Sequence, residues 1–190
     1  MLTINLLNIA FLLVFCIEIG FAGYKEDYDR MQSEHITLAN QYRRAFAKKF
    51  RISNMHELVW DPVAEKTAQD NRYNNPPKTK FLFRHHISTL LTSDTAKETF
   101  RDLIEDRNER YFRDQILEDE NDEMYPLELL LPAQKKIGCS YTKNGPDPSV
   151  CLLGPENYFG SFFEARGTPG SKCDKGYTNN DGLCSLSKGN

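Results

Sequence analysis

Two short apolar runs, each carrying a cysteine, constrain this chain more than any other feature. Lys136-Ile137-Gly138-Cys139-Ser140 and Val150-Cys151-Leu152-Leu153-Gly154-Pro155 flank a turn-rich stretch, Asn144-Gly145-Pro146-Asp147-Pro148. Strand, turn and strand read as a β-hairpin, and the facing cysteines predict a disulfide across it. Such a staple requires an oxidising compartment.

The N-terminus agrees. Residues 6–17 form an almost uncharged apolar core, and Gly20-Phe21-Ala22 supplies the small residues of a cleavage site, so residues 1–22 read as a secretory signal peptide cut after Ala22. The run is short for a membrane span and Glu18 interrupts it, which leaves no span once the leader is removed. A signal anchor is the alternative, because the usual positively charged n-region is missing. The formal net charge is −3 for the full chain and one unit smaller without Glu18, too small to point to nucleic acid or an anionic membrane. Of five cysteines Cys16 lies in the leader, and the other four fall as two local pairs, Cys139 with Cys151 and Cys173 with Cys184. Four cysteines allow three pairings, of which local closure is the simplest. Neither pair has the Cys-x-x-Cys spacing of a zinc or thioredoxin-type site, and no Asn-x-Ser/Thr sequon is present.

Helical periodicity comes before the strands. Over residues 33–50, Leu38, Tyr42, Ala45, Phe46 and Lys49 recur at helical spacing, with Arg43, Arg44 and Lys48 elsewhere on the wheel. Asp61-Pro62 opens a second helix running towards Arg72, Asp as cap and Pro at the first helical position. Thr95-x-x-Glu98 looks like the capping box of a third, whose buried stripe is Phe100, Leu103, Ile104, Tyr111 and Phe112. Residues 118–123 hold five carboxylates in six positions but lack the glycine and ligand alternation of an EF-hand, and read as a solvated loop. Helices first and strands late predict an α+β layered domain. The Gly-rich polar stretch at 161–190 reads as a small tail closed by Cys173 and Cys184.

Taken in order, several pieces resemble a CAP-superfamily domain, the family of cysteine-rich secretory, antigen 5 (venom-allergen-like) and pathogenesis-related proteins. They are Asn40-x-x-Arg43, Met55-x-x-Leu58-Val59-Trp60-Asp61 followed by Ala68-Gln69, Lys136-Ile137-Gly138-Cys139, and Val150-Cys151-Leu152-Leu153-Gly154-Pro155-x-Asn157-Tyr158. They span residues 36–158, with a weak stretch between about 72 and 124, and the tail is similar to the hinge that follows many such domains, with two of its usual cysteines missing. The resemblance implies a three-layer α-β-α sandwich with a central antiparallel sheet over residues 23–160, and a largely buried Trp60 at the start of the second helix.

Departures from the family pattern bear on function. Many CAP domains gather two His and two Glu in a cleft able to hold a divalent metal. Counting back from Cys139 puts Tyr125 at the late His, and the late Glu falls at Leu103 if Phe100 is its preceding aromatic, with Asp102 or Glu105 as substitutes under a small shift. Arg84-His85-His86-Ile87 stands where the family has Gly-Glu-Asn-Leu. The tetrad positions His85, Leu103 and Tyr125 are therefore degenerate, and no metal, cofactor or catalytic residue is expected. Adjacent His85 and His86 on an extended segment point to opposite faces and make a poor ligand pair. His35, His56 and Trp60 read as structural. A hydrolase needs a nucleophile beside a base, and with the cysteines paired and no Gly-x-Ser-x-Gly elbow none is available. The expectation is a secreted, extracellular, non-catalytic protein that binds an extracellular protein partner through surface loops. The alternative is a carrier of a small lipid, a sterol or fatty acid, with Phe81, Leu82, Phe83, Leu90 and Leu91 as an apolar wall.

Overall fold

The computed structural model describes residues 6–71, 83–85, 91, 93–118, 127–141, 148–155 and 159–187. It divides into two compact units, Met1–Glu34 and His35–Asn190. Helix α1 runs Leu6–Phe50, starting well before the 33–50 stretch read from periodicity. No proline falls between residues 6 and 50 to end it. Among the described residues no helix is long and apolar enough to cross a membrane.

Within the second unit, the buried stripe of α1 is His35, Ala39, Arg43, Phe46 and Ala47, one face at steps of three and four. This corrects the expected stripe, since Ala45 and Lys49 face solvent and Arg43 is fully buried. Arg43 is tolerated there because its guanidinium makes four hydrogen bonds to backbone carbonyls. Nε donates to the His56 carbonyl at 2.8 Å, Nη1 to Leu129 at 2.5 Å, and Nη2 to Pro132 and Gln134 at 3.3 and 3.0 Å. One turn earlier Asn40 closes a two-way bond with the Leu58 backbone, Nδ2 donating to the carbonyl at 2.9 Å and Oδ1 accepting from the amide at 2.8 Å. The Asn40-x-x-Arg43 motif thus fastens α1 to two loops through backbone groups that would otherwise be buried without partners.

Helix α2, Pro62–Asn71, begins as read: Asp61 Oδ1 accepts from Val63 and Ala64 amides at 2.8 and 3.0 Å. The third helix is different. Ser93, not Thr95, caps α3, Asp94–Arg101, its side chain accepting from the Ala96 amide. A wide π-type turn at Asp102–Asp106 then ends the run, and α4, Glu109–Glu118, restarts it. The single apolar stripe of the sequence is shared between these pieces, with Phe100, Leu103 and Phe112 buried. Tyr42 stacks on Phe100 at 4.2 Å, and Phe46 meets Phe112 edge-on at 5.2 Å, which docks α3 and α4 on α1.

The larger sheet has strand order β1-β3-β4-β2, where β1 is Val59–Trp60, β2 Phe83–His85, β3 Lys136–Tyr141 and β4 Pro148–Gly154. β3 and β4 are the antiparallel hairpin, with Cys139 opposite Cys151, and β2 adds antiparallel to β4. The two-residue β1 joins β3 in parallel, so the sheet is mixed rather than wholly antiparallel. The reason is local: the Val59 amide and Asp61 amide reach the Lys135 and Ile137 carbonyls as the chain enters α2 in the same direction as β3. Strand alternation gives each face of the hairpin its own cover. Ile137, Cys139, Cys151 and Leu153 join the main core with Ala39, Phe46, Phe100 and Phe112, while Val150 and Leu152 pack with Ala64 and Ala68 of α2. Gly138 is the point of closest approach, where an added Cβ would lie 2.1 Å from the Glu65 amide nitrogen. Trp60 is partly buried against the main core, and its indole N–H donates to Glu65 Oε2 at 2.7 Å.

Residues 161–187 form more than a loose tail. β5, Tyr177–Asn180, and β6, Leu183–Leu186, pair antiparallel across a two-residue turn. Asp181 and Gly182 both have positive φ, 48° and 92°, as a tight turn of the I′ kind requires. The Cys184 amide and carbonyl bond to Met55 and Glu57, and Leu183 and Cys184 are fully buried. Both disulfides are formed, Cys139–Cys151 and Cys173–Cys184.

Candidate functional site

Of the three degenerate cleft positions, Leu103 alone has a described side chain. It lies in the wide turn after α3, 4% exposed, inside the main core. Neither neighbouring acid turns inward to replace a carboxylate. Asp102 accepts from Arg107 Nε at 2.8 Å at the surface, and Glu105 is exposed. His85 sits on β2 opposite Cys151, whereas Tyr125 and His86 lie outside the described residues, as do residues 119–123 of the acidic run. Of the proposed lipid wall, only Leu91 has a described side chain, and it is a core residue at 1% exposure. A recess lined by Phe46, Phe50, Ile52, Phe112, Phe162 and Phe163, with Glu109 and Arg166, has a volume of about 10 Å³, room for one water and not for an acyl chain.

Two histidines that sequence reasoning treated as structural hold the more telling chemistry. His56 is buried between α1 and the C-terminal hairpin, its Nδ1 3.3 Å from the Pro132 carbonyl, its Nε2 3.2 Å from Asp174 Oδ2, and its ring edge-on to Tyr177. Lys135 Nζ lies 2.5 Å from the same Asp174 carboxylate and 4.9 Å from the Tyr177 ring. Burial, followed by the Lys135 charge, pushes the His56 pKa down, and the hydrogen bond from Lys135 holds the Asp174 carboxyl below its ordinary value. The group is a polar tether with no nucleophile in it. Burial works against ionisation of Asp61, yet Lys136, 2.6 Å away, and the two cap amides hold its carboxyl below the usual range.

His35 is the outlier. It is 3% exposed, and neither ring nitrogen has a hydrogen-bond partner among the described residues. Burial pushes its pKa down to about 4, so the ring is neutral at pH 7. A ligating nitrogen of this ring and the sulfurs of Cys139 and Cys151 all lie within 4.8 Å of one another. No sequence signal marks this meeting, because the helix and the hairpin that bring it about are a hundred residues apart.

No protein-family model matches the sequence, and no curated protein does. Solved structures do match. The hookworm platelet inhibitor is 20% identical, with a TM-score of 0.57 over 85% of this chain and 93% of that one. Na-ASP-1 is 18% identical, with a TM-score of 0.58 over 82% of this chain. Against Na-ASP-1 the chain spans 47% of the other's length. Both are CAP-family structures, and at these identities the likeness speaks of architecture: the chain has the CAP fold.

Proposed function

We propose that this is a secreted, non-catalytic CAP-like protein that acts by binding an extracellular protein partner. Residues 1–22 are its cleaved leader, 23–160 its three-layer α-β-α domain, and 161–190 a disulfide-closed extension. The two covers of the hairpin, side chains of α1, α3 and α4 in one cluster and of α2 in the other, support the layered reading. Two disulfides support an oxidising, extracellular setting. The observation that carries the non-catalytic reading is Leu103, an apolar core side chain where the family resemblance asks for a carboxylate. Three of the described buried polar residues are consistent with it: Asn40, Arg43 and Asp61 are bound to backbone amides and carbonyls. One structure of the same fold is named for inhibiting platelets, a kind of role that a stapled scaffold can fill without catalytic groups.

The test is expression of the full chain in secretory eukaryotic cells, followed by N-terminal sequencing and native mass spectrometry of protein from the medium. The expected product begins at Gly23, carries both disulfides, and takes up zinc no better than a protein without a metal site. Stoichiometric zinc at micromolar affinity in the oxidised protein would overturn the degenerate-cleft reading. A tightly held sterol or fatty acid would replace the binding scaffold with the carrier.

A further inference from the structure

We propose that reduction of the Cys139–Cys151 disulfide converts the buried group of His35, Cys139 and Cys151 into a binding site for a thiophilic cation of the zinc class. The placement comes from two elements. His35 stands on the buried stripe of α1, one turn before Ala39, and the two cysteines face each other in register across β3 and β4. While the sulfurs are bonded to each other they are poor ligands, because the metal-binding form of cysteine is the thiolate. Freed, they make with the imidazole a Cys₂His set, one of the recognised zinc ligand sets, with the fourth position left to water. Zinc–sulfur and zinc–nitrogen bonds of about 2.3 and 2.0 Å put neighbouring ligands roughly 3.5 Å apart. The sulfurs, 2.00 Å apart while bonded, must open to that spacing after reduction, and the imidazole nitrogen, within 4.8 Å of them, must close to it, both by side-chain rotation.

Three further features favour the site. His35 has two ring nitrogens with no partner among the described residues, at 3% exposure, so one is free to ligate without breaking a bond. An unpaired buried imidazole costs stability, and a metal bond offsets that cost. Its ring is neutral at pH 7, which is the ligating form. Finally, two thiolates cancel the charge of a divalent ion, so the complex enters the apolar surroundings of Ala39, Ile137 and Leu153 as a neutral unit.

The chemistry balances with a trialkylphosphine as reductant. The S–S bond breaks, phosphorus gives up two electrons and takes the oxygen of one water, and the products are a phosphine oxide and two thiols. Zinc then displaces the two thiol protons to solvent, forming two Zn–S bonds and one Zn–N bond.

The experiment compares oxidised and phosphine-reduced protein, freed of reductant under anaerobic conditions, by zinc titration against a chromophoric chelator and by zinc X-ray absorption. Cys173→Ser with Cys184→Ser removes the other thiols. Expected is one tightly bound zinc in this reduced variant, none in its oxidised form, a sulfur-plus-nitrogen ligand shell, and loss of the site when His35→Asn is added. If the serine variant does not fold, reduced wild type and its His35→Asn form are compared instead, and the zinc count must fall by one. Unchanged binding in His35→Asn, an all-sulfur shell, or reduced protein that stays unfolded with zinc present overturns the proposal. Zinc held by the oxidised protein counts against the function proposed above, not against this site.

Discussion

The chain uses the same device twice, in different surroundings. The β3–β4 hairpin is covered on both faces, with Ile137, Cys139, Cys151, Leu152 and Leu153 fully buried. The β5–β6 hairpin turns Thr178, Asn179 and Asn180 to solvent, and Leu186 stands 56% exposed. Only Leu183 and Cys184 enter the core, and polar tethers do the rest: Lys48 to Asp181 at 2.8 Å, and His56 and Lys135 to Asp174. The staples close loops of nearly equal length, with separations of 12 and 11 residues. Their chain-entropy contributions are therefore nearly equal, and any difference between the hairpins measures packing.

The largest effect is expected from the core hairpin's glycine. A Cβ at Gly138 would meet three backbone atoms of α2 and its cap at 2.1, 2.6 and 2.7 Å, none of which a side-chain rotation relieves. Gly138→Ala should cost about 4 kcal/mol or more, at the exceptional end for one substitution. A urea midpoint equal to wild type would show that the α2 contact is looser than described. Replacing Cys139 and Cys151 together by Ala should follow, at about 4 kcal/mol, of which about 3 is loop closure and the remainder lost packing.

Third comes pH, through His35 beside the core hairpin. Its folded pKa of about 4 lies below the ordinary 6.5, so on acidification the unfolded chain takes the proton first. Its contribution is whole above pH 6.5 and is lost as pH falls towards 4, about 3 kcal/mol in all. Denaturation series from neutral pH down to about 4 should show a steeper loss in wild type than in His35→Leu, which keeps the loss of the same sign from His56, whose pKa burial also pushes down. Cys173→Ser with Cys184→Ser should cost about 2 to 3 kcal/mol, close to loop closure alone; a loss as large as the core pair's would erase the distinction between the hairpins. Gly176→Ala is the smallest. No atom lies within 4 Å of the added Cβ, and the positive φ of 87° leaves about 1 kcal/mol of backbone strain, readable as a small thermal shift.

What the sequence made legible was local. The β3–β4 strands, and the Asp61 cap with Pro62 at the start of α2, each rest on signals within a few residues. Arg43 misled because charge alone placed it outside, while its partners lie up to 91 residues away. The stripe from Phe100 to Phe112 is continuous in hydrophobicity, and nothing in that pattern marks the wide turn at Asp102–Asp106. The β5–β6 hairpin carries its own turn signal, Asp181-Gly182, but sits in a polar stretch with little hydrophobic alternation to mark the strands. For the site, Leu103 was legible as apolar, but only packing shows that it is buried while Asp102 and Glu105 face the surface. The encounter of His35 with the hairpin sulfurs exists only after packing, and no spacing rule reaches that far.

Arg43 also sets a condition on how fast the domain assembles. Once α1 has formed, its guanidinium faces a partly built interior, and three of its four carbonyl partners sit on the segment around residues 129–134, separated from it by 86 to 91 positions. Until that distant segment arrives, desiccating the interior would strand a cation, so water must stay between the elements. Closure of this long loop and expulsion of that water are expected to be coupled, a non-local step of the kind that slows folding however readily the individual helices form.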